Sequence, residues 1–121
     1  MRTILIAATI AILALPARAE WCAGWDREDT WTAVAFGGAV AADLYTTRRA
    51  LDAGGKEENP LLGHHPSDNT LALAGVGAVG GYLLGACLLS EPWRTRWGWF
   101  WIGAELGRAY HNHFAAIRIT F

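Results

Sequence analysis

Residues 70–89 read TLALAGVGAVGGYLLGACLL, twenty positions without an Asp, Glu, Lys, Arg or His. At 1.5 Å rise per residue a helix of this length measures about 30 Å, the thickness of a bilayer's hydrocarbon core. The stretch predicts a transmembrane helix and an all-α fold. Gly77, Gly81 and Gly85 recur every four residues and are expected to share one face, where missing side chains let another helix approach closely in lipid. The competing reading is a buried helix of a soluble domain, but so many glycines lower helix propensity.

Upstream, Arg2 precedes an apolar run over residues 4–15, followed by Pro16 and Ala17-Arg18-Ala19. These features assign residues 1–19 to a secretory signal peptide cleaved after Ala19. An uncleaved anchor and an ordinary first transmembrane helix are the alternatives. Residues 20–121 then form a single helical membrane domain. Cys22 is unsuited to lipid attachment, because Glu20 and Trp21 stand where small residues are required.

Two weaker spans flank the first, at 31–47 and 97–117. The former is rich in small residues but contains Asp43, and the latter carries Glu105, Arg108, His111 and His113. A central Asp or Arg costs about 2.5–3.5 kcal/mol on insertion scales, so both helices must turn their polar groups toward one another or toward water. Gly103 and Gly107 repeat the small-residue spacing in one span, as Ala33, Gly37 and Ala41 do in the other. The expectation is a membrane three-helix bundle following the signal peptide, with glycine and alanine seams inside.

Ten Lys plus Arg against eleven Asp plus Glu leave no basic surplus for a nucleic-acid partner. Seven Trp are more informative. Trp21, Trp25 and Trp31 precede one apolar stretch, and Trp93, Trp97, Trp99 and Trp101 cluster where another begins, as indoles do at membrane interfaces. Membrane lipid is therefore an expected partner, alongside another membrane protein or a second copy of the chain.

An exported N-terminus sends the first span from outside to inside, the second back, and the third inward again. Asp43, the loop from Glu57 to Pro66, and His111-Asn112-His113 then lie on the cytoplasmic side. Basic residues divide almost evenly, with Arg48, Arg49, Lys56 and Arg118 inside and Arg27, Arg94 and Arg96 outside. Asp43 and Thr47 share a face, as do Glu105, Arg108 and Asn112. With Glu58 and Asn59 from the loop, these residues make a candidate polar cluster. It is open to two readings: a hydrogen-bonded clamp between helices, or a proton-binding or catalytic carboxylate site.

In the loop, Gly54-Gly55 suits a helix end, Asn59-Pro60 a turn, and Ser67, Asp68 or Asn69 a helix cap. His64, His65, His111 and His113 invite a metal reading, but adjacent histidines diverge and no HExxH or paired CxxC is present. No metal or other cofactor is assigned. Neither serine, Ser67 or Ser90, lies in a GxSxG turn, and the glycine-rich stretch lacks a GK[ST] ending. No reaction class or catalytic residue follows. Topology places Cys22 and Cys87 on the same outer side, where a disulfide and two separate thiols are both compatible.

The pattern Asp43-x-x-Thr46-Thr47, then EENPLLGHHPS over residues 57–67, then Trp93-Arg94-x-x-Trp97 and His111-Asn112 resembles small membrane proteins of unknown function from Gram-negative bacteria and their prophages. The resemblance centres on an NP-x-LG-x-HPS loop in which the first histidine position varies. It implies an exported or inner-membrane helical protein and supplies no activity. The functional expectation is an accessory or interaction protein of the cell envelope, with phage or prophage origin implied. A small intramembrane enzyme or ion-binding protein using the polar cluster is one alternative, and a holin-like lysis protein another.

Overall fold

A computed structural model describes residues 22–120, which form three helices and, among the described residues, no strand. The helices are α1, Arg27–Asp52; α2, Asp68–Leu88; and α3, Trp93–Thr120. The signal-peptide assignment at residues 1–19 lies outside the described residues.

Helix α1 begins earlier than the predicted span, because Asp26 and Asp29 form a reciprocal cap. The Asp26 carboxylate accepts the Asp29 N–H at 2.9 Å, and Asp29 accepts the Asp26 N–H at 3.0 Å. A hydropathy boundary at Trp31 misses this polar first turn. The helix stops where Gly54 takes a φ of +92°, which L side chains rarely adopt. Gly54 and Gly55 then donate their N–H groups to Leu51 and Ala50.

The loop explains much of its distinctive sequence. The Asn59 side chain accepts the Leu61 N–H and its carbonyl accepts the Leu62 N–H, with Pro60 setting the turn between them. Glu57 donates its N–H to the His64 carbonyl, closing the loop. Ser67 caps α2 by accepting the Thr70 N–H. Across the short turn after α2, the Glu91 carboxylate accepts from the Thr95 hydroxyl at 2.7 Å.

Helices α1 and α3 run parallel and α2 runs back between their ends. Ala33, Phe36 and Val40 of α1, Tyr82 and Ala86 of α2, and Ile102 of α3 form the core. Phe36 stacks on Tyr82 with ring centroids 4.3 Å apart, and Trp97 donates its indole N–H to the Tyr82 carbonyl at 3.0 Å.

The glycine seam requires correction. Gly77, Gly81, Gly103 and Gly107 are exposed, and a Cβ on any of them would meet nothing within 4 Å. Of the predicted set only Gly85 packs, against Trp97; the other close approaches are Gly75 on Leu44 and Gly98 on Thr32 and Tyr82. Four-residue spacing rotates by about 40° per step, so Gly77 lies roughly 80° around α2 from Gly85.

Among the described residues, only Asp68–Leu88 is long and apolar enough to cross a membrane. The predicted spans 31–47 and 97–117 are not apolar enough to meet the same standard, since Thr, Gly, Trp and Tyr as well as Asp43 dilute the first and Glu105, Arg108, His111, Asn112 and His113 the second. The tryptophans also divide. Trp31, Trp93 and Trp99 are exposed, whereas Trp25, Trp97 and Trp101 pack against the core.

Candidate functional site

Polar side chains gather at the two ends of the bundle and do different things there. At one end Cys22 and Cys87 form a disulfide. Beside it Arg94 is 4% exposed and pairs with the 6%-exposed Asp29 at 3.0 Å. The same guanidinium donates to the carbonyls of Ala86 at 2.8 Å and Ala23 at 2.7 Å. Its donors thus tie the N-terminal segment, α1 and the end of α2 to α3. This end is a structural knot.

The opposite end opens into a chamber of about 1220 Å³, bounded by all three helices and the loop. Asp43, Thr47, Glu58, Asn59, Glu105, Arg108 and Asn112 all line it. Asn112 bridges two α1 residues, donating to Asp43 Oδ1 at 2.9 Å and to Thr47 Oγ1 at 2.8 Å. That bridge is a clamp between α1 and α3. Thr46 is committed elsewhere, its hydroxyl bonding to the carbonyls of Ala42 and Asp43 within α1.

Glu105 has a different environment. Its side chain is only 5% exposed and faces both Asp43 and the chamber. Its cationic neighbour, Arg108, stands 3.6 Å away, beyond ordinary hydrogen-bond length, with its own side chain 58% exposed. Burying a carboxylate without good donors is costly. The nearer partner of Glu105 is Asp43, to which it is hydrogen-bonded side chain to side chain, so the two carboxyl groups stand together in the chamber wall.

Asn59 and Glu58 reach the chamber by a different route, on the loop that closes its mouth. Asn59 spends its side-chain oxygen on the turn, while Glu58 is exposed. His64 and His111 also line the chamber; His65 and His113 do not. Among the described residues, no group of three or more His, Cys, Asp or Glu is arranged to hold a metal ion.

Sequence spacing did not reveal the apolar part of the chamber wall. Leu71, Ala74, Gly75 and Ala78 of α2 form it, and the close approach of Gly75 to Leu44 brings that helix in. The role of Arg94 was also hidden, because its acidic partner lies 65 positions away.

No protein-family model matches the chain, and no curated protein or solved structure is found to be similar to it. The chemistry of the chamber is consequently the basis for a functional reading. Its volume exceeds the roughly 300–1,000 Å³ common for small-molecule sites, and its lining joins carboxylates to an apolar wall. Such a site can hold an extended ligand that donates hydrogen bonds.

Proposed function

We propose that this chain is a small inner-membrane accessory protein whose chamber, on the cytoplasmic side, binds a small polar ligand. An envelope role, with the phage or prophage link that the loop resemblance implies, belongs to the same proposal. The observation that carries the ligand reading is the chamber itself, open at the loop end of the bundle, with the buried Glu105 set beside Asp43 in its wall.

Membrane insertion is supported by the separation of the polar ends. Asp29 and Thr47 lie eighteen positions apart on α1, or about 27 Å along the axis, close to a hydrocarbon core of about 30 Å. Between them the outer surfaces of α2 and α3 present Leu73, Val76, Leu84, Phe100 and Leu106 to the surroundings. A disulfide persists in an oxidising compartment, which orients Cys22–Cys87 toward the periplasm and the chamber toward the cytoplasm.

Glu105→Gln in the full chain, followed by thermal unfolding in lipid nanodiscs, separates binding from clamping. A carboxylate retained for a ligand strains the empty protein, so its neutral isostere should raise Tm. A lower Tm would show that the charge holds the bundle together and would remove the ligand reading. Carbonate extraction of native membranes tests the location: the protein should remain in the membrane pellet, and release into the supernatant would contradict insertion.

A further inference from the structure

Asp43 of α1 and Glu105 of α3 meet side chain to side chain where the two helices form the chamber wall. A hydrogen bond between two carboxyl groups needs a proton, because an ionised carboxylate only accepts. The neighbouring amide has no hydrogen left to give. Asn112 spends its two N–H bonds on Asp43 Oδ1 at 2.9 Å and on Thr47 Oγ1 at 2.8 Å. Charge leads to the same place. Arg108, 3.6 Å from Glu105, acts on both carboxyl groups and offsets one negative charge of the two. From the loop, Glu57 adds a further negative charge toward Asp43. The other ionisable groups lining the chamber, Lys56, Glu58, His64 and His111, are exposed, and its α2 wall of Leu71, Ala74, Gly75 and Ala78 contains none.

We infer that Asp43 and Glu105 hold one proton between them and that this proton latches α1 to α3 at the chamber end of the bundle. With the proton in place the pair carries a single negative charge, matched by Arg108, and its two members are joined. When the proton leaves to water at the chamber mouth, two like charges face each other across the helix contact, a state that close carboxyl pairs avoid. Only the Asn112 amide then ties α3 to Asp43. The far end is fixed separately by the Cys22–Cys87 disulfide and by Arg94. Proton loss therefore parts the helices at the chamber end, so that acid closes the chamber and base widens it. The inference concerns the helix contact and stands whether or not the chamber holds a ligand.

Infrared spectroscopy of the full chain in lipid nanodiscs at neutral pH reads the proton as the C=O stretch of a protonated carboxyl group. The wild type should show this band, Asp43→Asn and Glu105→Gln should each abolish it, and Glu58→Gln on the exposed loop should leave it in place. Electron–electron double resonance between nitroxides at Arg49→Cys of α1 and His113→Cys of α3, both exposed positions near the chamber, reads the latch. The native disulfide is kept oxidised and so takes no label. As pH is raised until the band disappears, the separation should lengthen by about 1–2 Å, the scale of a packed-helix shift. In Glu105→Gln, whose amide can donate to Asp43 whatever the pH, it should stay constant. A wild type without the band, a band that survives either Asp43→Asn or Glu105→Gln, a separation indifferent to pH, or one that responds equally in Glu105→Gln overturns the inference. Such a result removes the latch alone, because the ligand reading is decided by the Tm of Glu105→Gln.

Discussion

Replacing Gly85 and Gly81 by alanine adds the same methyl group to the same helix four residues apart, yet the two changes should move stability in opposite directions. A Cβ at Gly85 would lie 2.5 Å from Trp97 Cζ2 and 3.0 Å from Trp97 Nε1. Ordinary contact begins near 3.4 Å, so the indole must retreat by about 0.9 Å. That movement strains the bond from Trp97 to the Tyr82 carbonyl. Overpacking of this kind costs about 1–3 kcal/mol, and a buried N–H that loses its acceptor costs about 1–3 kcal/mol more. Improved helix propensity returns up to about 1 kcal/mol, leaving a net loss of roughly 1–5 kcal/mol. At Gly81 nothing lies within 4 Å, so only the propensity gain of about 0.5–1 kcal/mol remains. For a small domain, 1 kcal/mol corresponds to about 4–8 °C in Tm. Thermal unfolding in one detergent should show Gly85→Ala lower by about 4 °C or more and Gly81→Ala unchanged or higher. Loss at Gly81 with tolerance at Gly85 would refute the packing of α2 described above.

Arg94→Met should cost about 3–5 kcal/mol by leaving Asp29 buried and unpaired, with Asp29→Leu added on top recovering part of the loss; chemical unfolding of the single and double variants measures both. Trp101 has a buried indole N–H without a partner, so Trp101→Phe should be close to neutral in Tm. Trp97→Phe, which deletes the bond to Tyr82, should lower it. Reduction of Cys22–Cys87 should remove about 2–4 kcal/mol, read from unfolding with and without reductant, and an unchanged midpoint would deny the disulfide a stabilising role.

The helical nature of residues 70–89 was legible because composition and length decide it. The loop was legible in part for the same local reason: Asn59, Pro60 and Ser67 act on backbone groups only a few positions away. Asp43, Thr47, Glu105 and Asn112 could be grouped because helical periodicity aligns each pair. Periodicity does not say which face of a helix meets its neighbours, and Gly77 and Gly81 were therefore placed inside when they lie outside. The division of the tryptophans was hidden similarly, since Trp97 turns inward to Tyr82 while Trp99 stays exposed. For Arg94 the available signal was local: Asp26 and Asp29 at the start of α1 form a cap, and a capped helix start beside Trp25 places a carboxylate where a cation is needed.

The central claim is a bundle that crosses the membrane with its disulfide end outside and its chamber inside. Single cysteines introduced at Lys56 and Arg96, in a background with Cys22→Ala and Cys87→Ala, report on the two ends when intact spheroplasts are treated with a membrane-impermeant maleimide. The account predicts labelling at position 96 from outside and protection at position 56 until the membrane is permeabilised. Equal labelling of both positions in intact spheroplasts would contradict it.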